Sequence, residues 1–165
     1  MSRDFWNQPN RSYRNMQIVL GLLAIHYFIP ALSYFFAPQI AVEEFKRMGE
    51  ILGASYPLTE ESHLWRVLAA GNVFTLGFLC LLMQLNIRRF YPVLPVFVVL
   101  KGFSSLGYLY VFLFTLRYPV FFGVFLWDGC NVLLVWYFAR RAYHALLAGG
   151  EETKLVPPLF FREAS

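Results

Sequence analysis

Lys101 and Asp128 carry opposite charges inside stretches that are otherwise apolar, and no other lysine or carboxylate lies in such a stretch. At the centre of a bilayer a lone charge costs at least about 2.5–3.5 kcal/mol, so such residues face other protein and pair. Further polar residues accompany them at helical spacing. Lys101, Ser104, Ser105 and Tyr108 fall at i, i+3, i+4 and i+7, and Asp128 and Asn131 at i and i+3. Asn72 and Thr75 repeat the i, i+3 spacing, and His26 and Ser33 stand seven residues apart with Pro30 between them. Helical geometry gathers each set onto one face. The expected arrangement is a Lys101–Asp128 ion pair with Asn131 and His26 as hydrogen-bonding neighbours. A proline at position 30 clashes with the carbonyl four residues earlier, that of His26, so a kink should open an acceptor beside the imidazole.

Three kinds of chemistry suit such a cluster. Polar side chains between membrane helices act as glue, worth about 0.6 kcal/mol each on average. Alternatively, His26, Lys101 and Asp128 supply the convergent polar groups of an otherwise apolar site for a lipid or other hydrophobic small molecule, with Tyr108 as a hydroxyl donor. Proton or ion movement is the third, although four short helices leave little room for two gates. The ligand-binding or structural polar cluster is therefore read as His26, Asn72, Lys101, Ser104, Ser105, Tyr108, Asp128 and Asn131.

Catalytic signatures are missing. The chain has no HExxH or HxxEH and no histidine pair at i, i+4, so no zinc ligand set is present. It has no GxSxG nucleophile context and no Walker or GxGxxG loop. Haem between helices needs two axial histidines, and only His26 lies in an apolar run, His63 and His144 falling near opposite surfaces. No catalytic residue and no cofactor is expected. The two cysteines, Cys80 and Cys130, form no CxxC and read as small buried hydrophobes.

The elements that must position these residues are apolar runs of roughly 16–36, 64–85, 92–116 and 119–139. Each is long enough to cross about 30 Å of hydrocarbon at about 1.5 Å per residue. In lipid the backbone must satisfy itself within the segment, so the runs are helices. By the same rise, His26, Asn72, Lys101 and Asp128 all fall near the midplane. Charged residues make up only 15% of the chain, against about 25% in a soluble domain. Thr59 can cap the second span, with Glu60 and Glu61 at the positive end of its dipole. Pro92, Pro95 and Pro119 lie near helix starts, and Gly149 and Gly150 follow the last helical residues. The first run exceeds a signal peptide's apolar region and reads as a retained span.

Orientation follows from the basic residues. Nine lysines and arginines fall on the side of the termini and second loop, and four on the other. Positive residues stay inside, so both termini are expected in the cytoplasm. A bacterial inner membrane is the expected compartment. Trp65, Tyr91, Tyr118, Trp136 and Tyr137 sit near span ends as interfacial aromatics, and Arg66 should snorkel to the interface. The net charge of +4 does not point to nucleic acid, because no basic stripe on a polar helix tracks phosphates.

The first external loop, residues 37–63, carries Ala41, Phe45, Met48 and Leu52 opposite Glu43, Glu44, Lys46, Arg47 and Glu50. That is an amphipathic helix, expected flat on the outer surface and packed over the bundle mouth, a docking surface for an external partner being the alternative. The tail 149–165, with Pro157, Pro158, Leu159, Phe160 and Phe161, reads as loosely packed. In size and layout the chain resembles DoxX-like proteins and the sterol-isomerase-type EXPERA proteins; the resemblance rests on helix number and cytoplasmic termini and carries over no active site.

The sequence thus reads as an all-α, four-helix transmembrane bundle with an interfacial helix in its first external loop. It comprises an N-terminal segment 1–15, a transmembrane domain 16–148 and a C-terminal tail 149–165. The expected role is a non-enzymatic accessory or structural subunit, its partners being the bilayer and other membrane subunits or copies of itself. A binder, carrier or enzyme for a lipid-like ligand is the alternative.

Overall fold

Asn10 begins the first helix: its side-chain oxygen accepts from the Tyr13 N–H at 3.0 Å, supplying one of the partners a helix start lacks. From there the chain forms six helices: α1 (Arg11–Phe36), α2 (Pro38–Ile51), α3 (His63–Leu85), α4 (Ile87–Phe90), α5 (Val93–Phe114) and α6 (Pro119–Ala148). The computed structural model describes residues 10–57 and 63–148, and side chains throughout these except at 63–66. Thr59, Glu60 and Glu61, the tail 149–165 and the side chains of His63, Trp65 and Arg66 therefore lie outside the described residues. Among the described residues all regular structure is helical, and α1, α3, α5 and α6 are long and apolar enough to cross a membrane.

The four long helices pack as two antiparallel hairpins, α1 with α3 and α5 with α6. The start of α1 meets the end of α3, where Tyr13 Oη donates to the Leu85 carbonyl at 3.3 Å. One turn on, Gln84 Nε2 donates to the Gln17 carbonyl at 2.9 Å and Gln17 Nε2 to the Gln84 carbonyl at 3.4 Å. The hairpins join through α1 against α6, with a lighter contact of α3 on α5. The shared core runs along the bundle axis and includes Tyr13, Met16, Leu20, Tyr27, Cys80 and Phe97.

Both termini of the described chain lie at one end of the bundle, and there the helices outrun the apolar stretches. The fourth helix runs on past the apolar stretch that closes at 139 to Ala148, the residue before the expected stop at Gly149 and Gly150, and the first begins at Arg11 rather than 16. The reason is periodicity. Ala139, Ala142 and Leu146 are buried at i, i+3 and i+7, while Arg140 and Arg141 between them face out and interrupt the apolar run. Tyr13, Met16 and Leu20 do the same in α1. The short α4 fills the second loop, started by Asn86, whose side chain accepts from Arg89 N–H at 3.1 Å. Arg88 donates to the Leu146 carbonyl at 2.6 Å, and Tyr91 stacks on Tyr143 at 3.8 Å between centroids. These contacts tie α4 and the start of α5 to the extension of α6.

The opposite end is closed by α2. It packs through Phe45 and Gly49 on a second small core of Tyr118, Val120 and Phe121, reached by a four-residue connection between α5 and α6 rather than two. Tyr118 Oη donates to the Phe45 carbonyl at 2.5 Å. The buried arc of α2 is Pro38 and Gly49 with half-buried Ala41, Val42 and Phe45, while Met48 and Leu52, expected on the packed face, are exposed. The helix stops at Gly53, whose φ of +71° suits the left-handed turn; Gly53 N–H bonds Glu50 O at 3.0 Å and Ala54 N–H bonds Gly49 O at 2.8 Å.

Gly49 is where α2 meets Tyr118 most closely: a Cβ there would overlap the Tyr118 hydroxyl and ring edge. Tyr118 is buried and held by its bond to Phe45, so it cannot simply swing away. Gly49→Ala is expected to destabilise the protein by about 1–3 kcal/mol through overpacking, and Tyr118→Phe by about 1 kcal/mol through the lost bond. Thermal unfolding in detergent measures both; a Gly49→Ala protein as stable as the parent refutes this docking.

Candidate functional site

The i, i+3, i+4, i+7 stripe of α5 faces α6. Lys101 Nζ lies 2.6 Å from Asp128 Oδ1, and the two residues are 7% and 3% exposed. Ser104 Oγ donates to Asp128 Oδ2 at 3.3 Å, so both carboxylate oxygens are engaged. One turn of side chain away, Ser105 Oγ donates to the Phe125 carbonyl at 2.9 Å and locks the two helices at the level of the pair. Tyr108 continues the stripe and packs its ring against Phe121, 5.8 Å between centroids. Local geometry explains why the pair forms. Measured from the α5–α6 connection, Lys101 stands about 20 Å along α5 and Asp128 about 13 Å along α6, and the long lysine side chain spans the difference between the antiparallel helices.

From α1 the pair meets Tyr27 rather than His26. The Lys101 ammonium sits 5.1 Å from the Tyr27 ring centroid, against the electron-rich face of a residue only 2% exposed. Tyr27 also leans on Phe97 at 6.1 Å. Because consecutive helical residues point about 100° apart, the inward position of Tyr27 turns His26 outward. His26 is exposed, and its Nε2 accepts from Trp127 Nε1 at 3.1 Å. It thus bonds the rim of α6 and makes no hydrogen bond to the ion pair. The helix stays continuous through Pro30.

Asn131, the other expected neighbour, is 1% exposed but has no hydrogen-bond partner for its Nδ2, and neither has the buried Tyr27 Oη. Two polar atoms are thus left open in the interior around a satisfied ion pair. Asn72 and Thr75 lie on the outer surface of α3, and Thr75 Oγ1 is spent on the Gly71 carbonyl at 2.8 Å. The structure brings Lys101, Ser104, Ser105, Tyr108, Asp128 and Asn131 to the α5–α6 face and leaves His26 and Asn72 outside it.

Tyr27 and the Gln17–Gln84 pair escaped the sequence reading. A tyrosine beside a histidine in an apolar run gives no sign of which one turns inward. The glutamines were legible as uncharged polar residues near span ends, but their reciprocity depends on the α1–α3 register. Cys80 is buried and Cys130 exposed, both free, and among the described residues no three of His, Cys, Asp and Glu gather as a metal site would require. No protein-family model, no curated protein and no solved structure matches this chain.

A 2.6 Å ammonium–carboxylate contact is a short charge-assisted bond, and its desolvated partners cannot be separated cheaply. Lys101→Ala leaves the Asp128 carboxylate buried alone and is expected to cost about 3–5 kcal/mol, as breaking buried pairs does. Exchanging the two residues, Lys101→Asp with Asp128→Lys, should recover most of the loss. Folded yield and thermal stability in detergent read both effects, and a Lys101→Ala protein matching the parent would show that the pair does not hold the bundle.

Proposed function

We propose that this small polytopic membrane protein is a non-enzymatic accessory or structural subunit of a larger membrane assembly. The observation that carries this reading is the closure of its charged site. Lys101 and Asp128 are buried, bonded to each other, and backed by Ser104 and the Tyr27 face, which is the condition of a strut between helices. A group kept for substrate chemistry needs access to substrate, and these two have almost none. The outer faces are broad and apolar, with Phe103 80%, Val99 68% and Leu133 65% exposed, and so suited to lipid or to neighbouring helices.

The same reading sets the chain across the membrane with both termini cytoplasmic. Its support is charge. Among the described residues, the end that holds the termini carries Arg11, Arg14, Arg88, Arg89, Arg140 and Arg141 and no carboxylate, whereas Glu43, Glu44 and Glu50 lie on α2 at the other end. We take α2 to lie in the outer interface. Beside the arc that packs on Tyr118, its apolar residues Ile40, Met48, Ile51 and Leu52 are exposed, 39–76% each, next to Glu43, Lys46, Arg47 and Glu50.

One observation favours a second reading, a binder of a lipid-like or other hydrophobic molecule. The unpartnered Tyr27 Oη and Asn131 Nδ2 are buried polar groups of the kind that fix a ligand's orientation. A retained molecule lost on combined Tyr27→Phe and Asn131→Leu substitution, read by mass spectrometry of the purified protein, would support it.

The subunit reading predicts that the full-length tagged protein, taken from its native membrane in mild detergent, migrates in native electrophoresis as a complex larger than one chain with defined co-purifying subunits or copies. A monodisperse single chain with nothing bound would overturn it.

A further inference from the structure

The interior ion pair is satisfied, but an amide on the outer side of the bundle is not. Asn72 lies on the exposed side of α3 and has no hydrogen-bond partner among the described residues. It stands nine residues from the start of α3 and thirteen from its end, about 13 and 20 Å by helical rise, well inside the hydrocarbon for a helix that spans a bilayer. An amide there has two N–H donors and a carbonyl, and lipid tails offer neither donor nor acceptor. The surroundings lower the barrier to close approach. Gly71 beside it has open space, since an added Cβ would meet nothing within 4 Å, and Thr75 turns its hydroxyl inward to the Gly71 carbonyl. Gly71 and Thr75 are four residues apart, the small-xxx-small spacing that lets helix backbones come together.

We propose that this face binds a second copy of the chain, α3 crossing α3 at Gly71 and Asn72 about a two-fold axis. The chemistry of the amide selects the occupant. Asn is self-complementary: Nδ2 of each Asn72 can donate to Oδ1 of the other, so two identical faces satisfy both residues with no other residue type required. A lipid chain would leave the amide unpaired. The proposal rests on the subunit reading above and names its partner.

Oxidative cross-linking of the full-length protein in native membrane vesicles, in a Cys130→Ser background, tests the geometry. Single cysteines at Gly71, Asn72 and Thr75 should give disulfide-linked dimers, and one at the exposed Phe103 of α5 should not. In lipid vesicles, single-molecule photobleaching should show two copies, with Asn72→Leu weakening self-association by about 3- to 30-fold and Asn72→Gln retaining it. Self-association unchanged in Asn72→Leu, or cross-links as strong at Phe103, overturns the proposal. A single copy accompanied by a different chain, or by a bound lipid lost in Asn72→Leu, also overturns it. The first of those outcomes leaves the subunit reading standing, whereas a single copy with no partner chain at all removes both.

Discussion

An ammonium and a carboxylate placed between apolar helices have one inexpensive arrangement, which is against each other. The Lys101–Asp128 contact imposes that condition on the bundle. The four-residue connection already makes α5 and α6 run antiparallel; the pair fixes their relative height and which face of each helix turns inward. Ser104 and Ser105 then fall where they bond the carboxylate and the Phe125 carbonyl, and Tyr108 falls against Phe121. Slipping the register by one turn would move every one of these partners about 5 Å away.

The second hairpin is held by milder means that act in the same way. Gln17 and Gln84 exchange bonds to each other's backbone, and Tyr13 reaches the Leu85 carbonyl, so the α1–α3 register is also set by polar groups in a mostly apolar surface. Dispersion and apolar burial hold the helices together but discriminate weakly between registers; directional bonds discriminate strongly. The two hairpins meet where Tyr27 of α1 lies under the Lys101 ammonium, which makes the ion pair a contact among three helices.

Closure at the two ends differs in kind. At the end holding the termini, α1 and α6 extend beyond their apolar runs and are tied by α4 through Arg88 on the Leu146 carbonyl and by stacked Tyr91 and Tyr143. At the other, α2 covers the small aromatic core of Tyr118 and Phe121. Its packed arc is rotated from the arc of its longest apolar residues, because Gly49 allows the nearest approach and Met48 and Leu52 are left outside. An amphipathic pattern shows that a helix has an apolar side; the smallest residue on that side decides where it docks.

The number of long helices, their spacing and the Lys101–Asp128 pairing were determined by the sequence itself. The physical reason is that hydrocarbon penalises unpaired backbone and unpaired charge so heavily that few solutions remain. The polar stripe of α5 was legible for the same reason. What only the tertiary structure decided is the direction of single side chains: Tyr27 inward and His26 outward to Trp127, Asn131 buried without a partner, and Asn72 on the outer surface. The start of α1 was likewise decided there, since buried Tyr13 and Met16 carry the helix back to Arg11, ahead of its apolar run. Neighbouring residues differ by about 100° around a helix, and uncharged polar groups cost little enough to sit on either side of a boundary. Their placement is set by which helix packs alongside and at what height, information that no single segment contains.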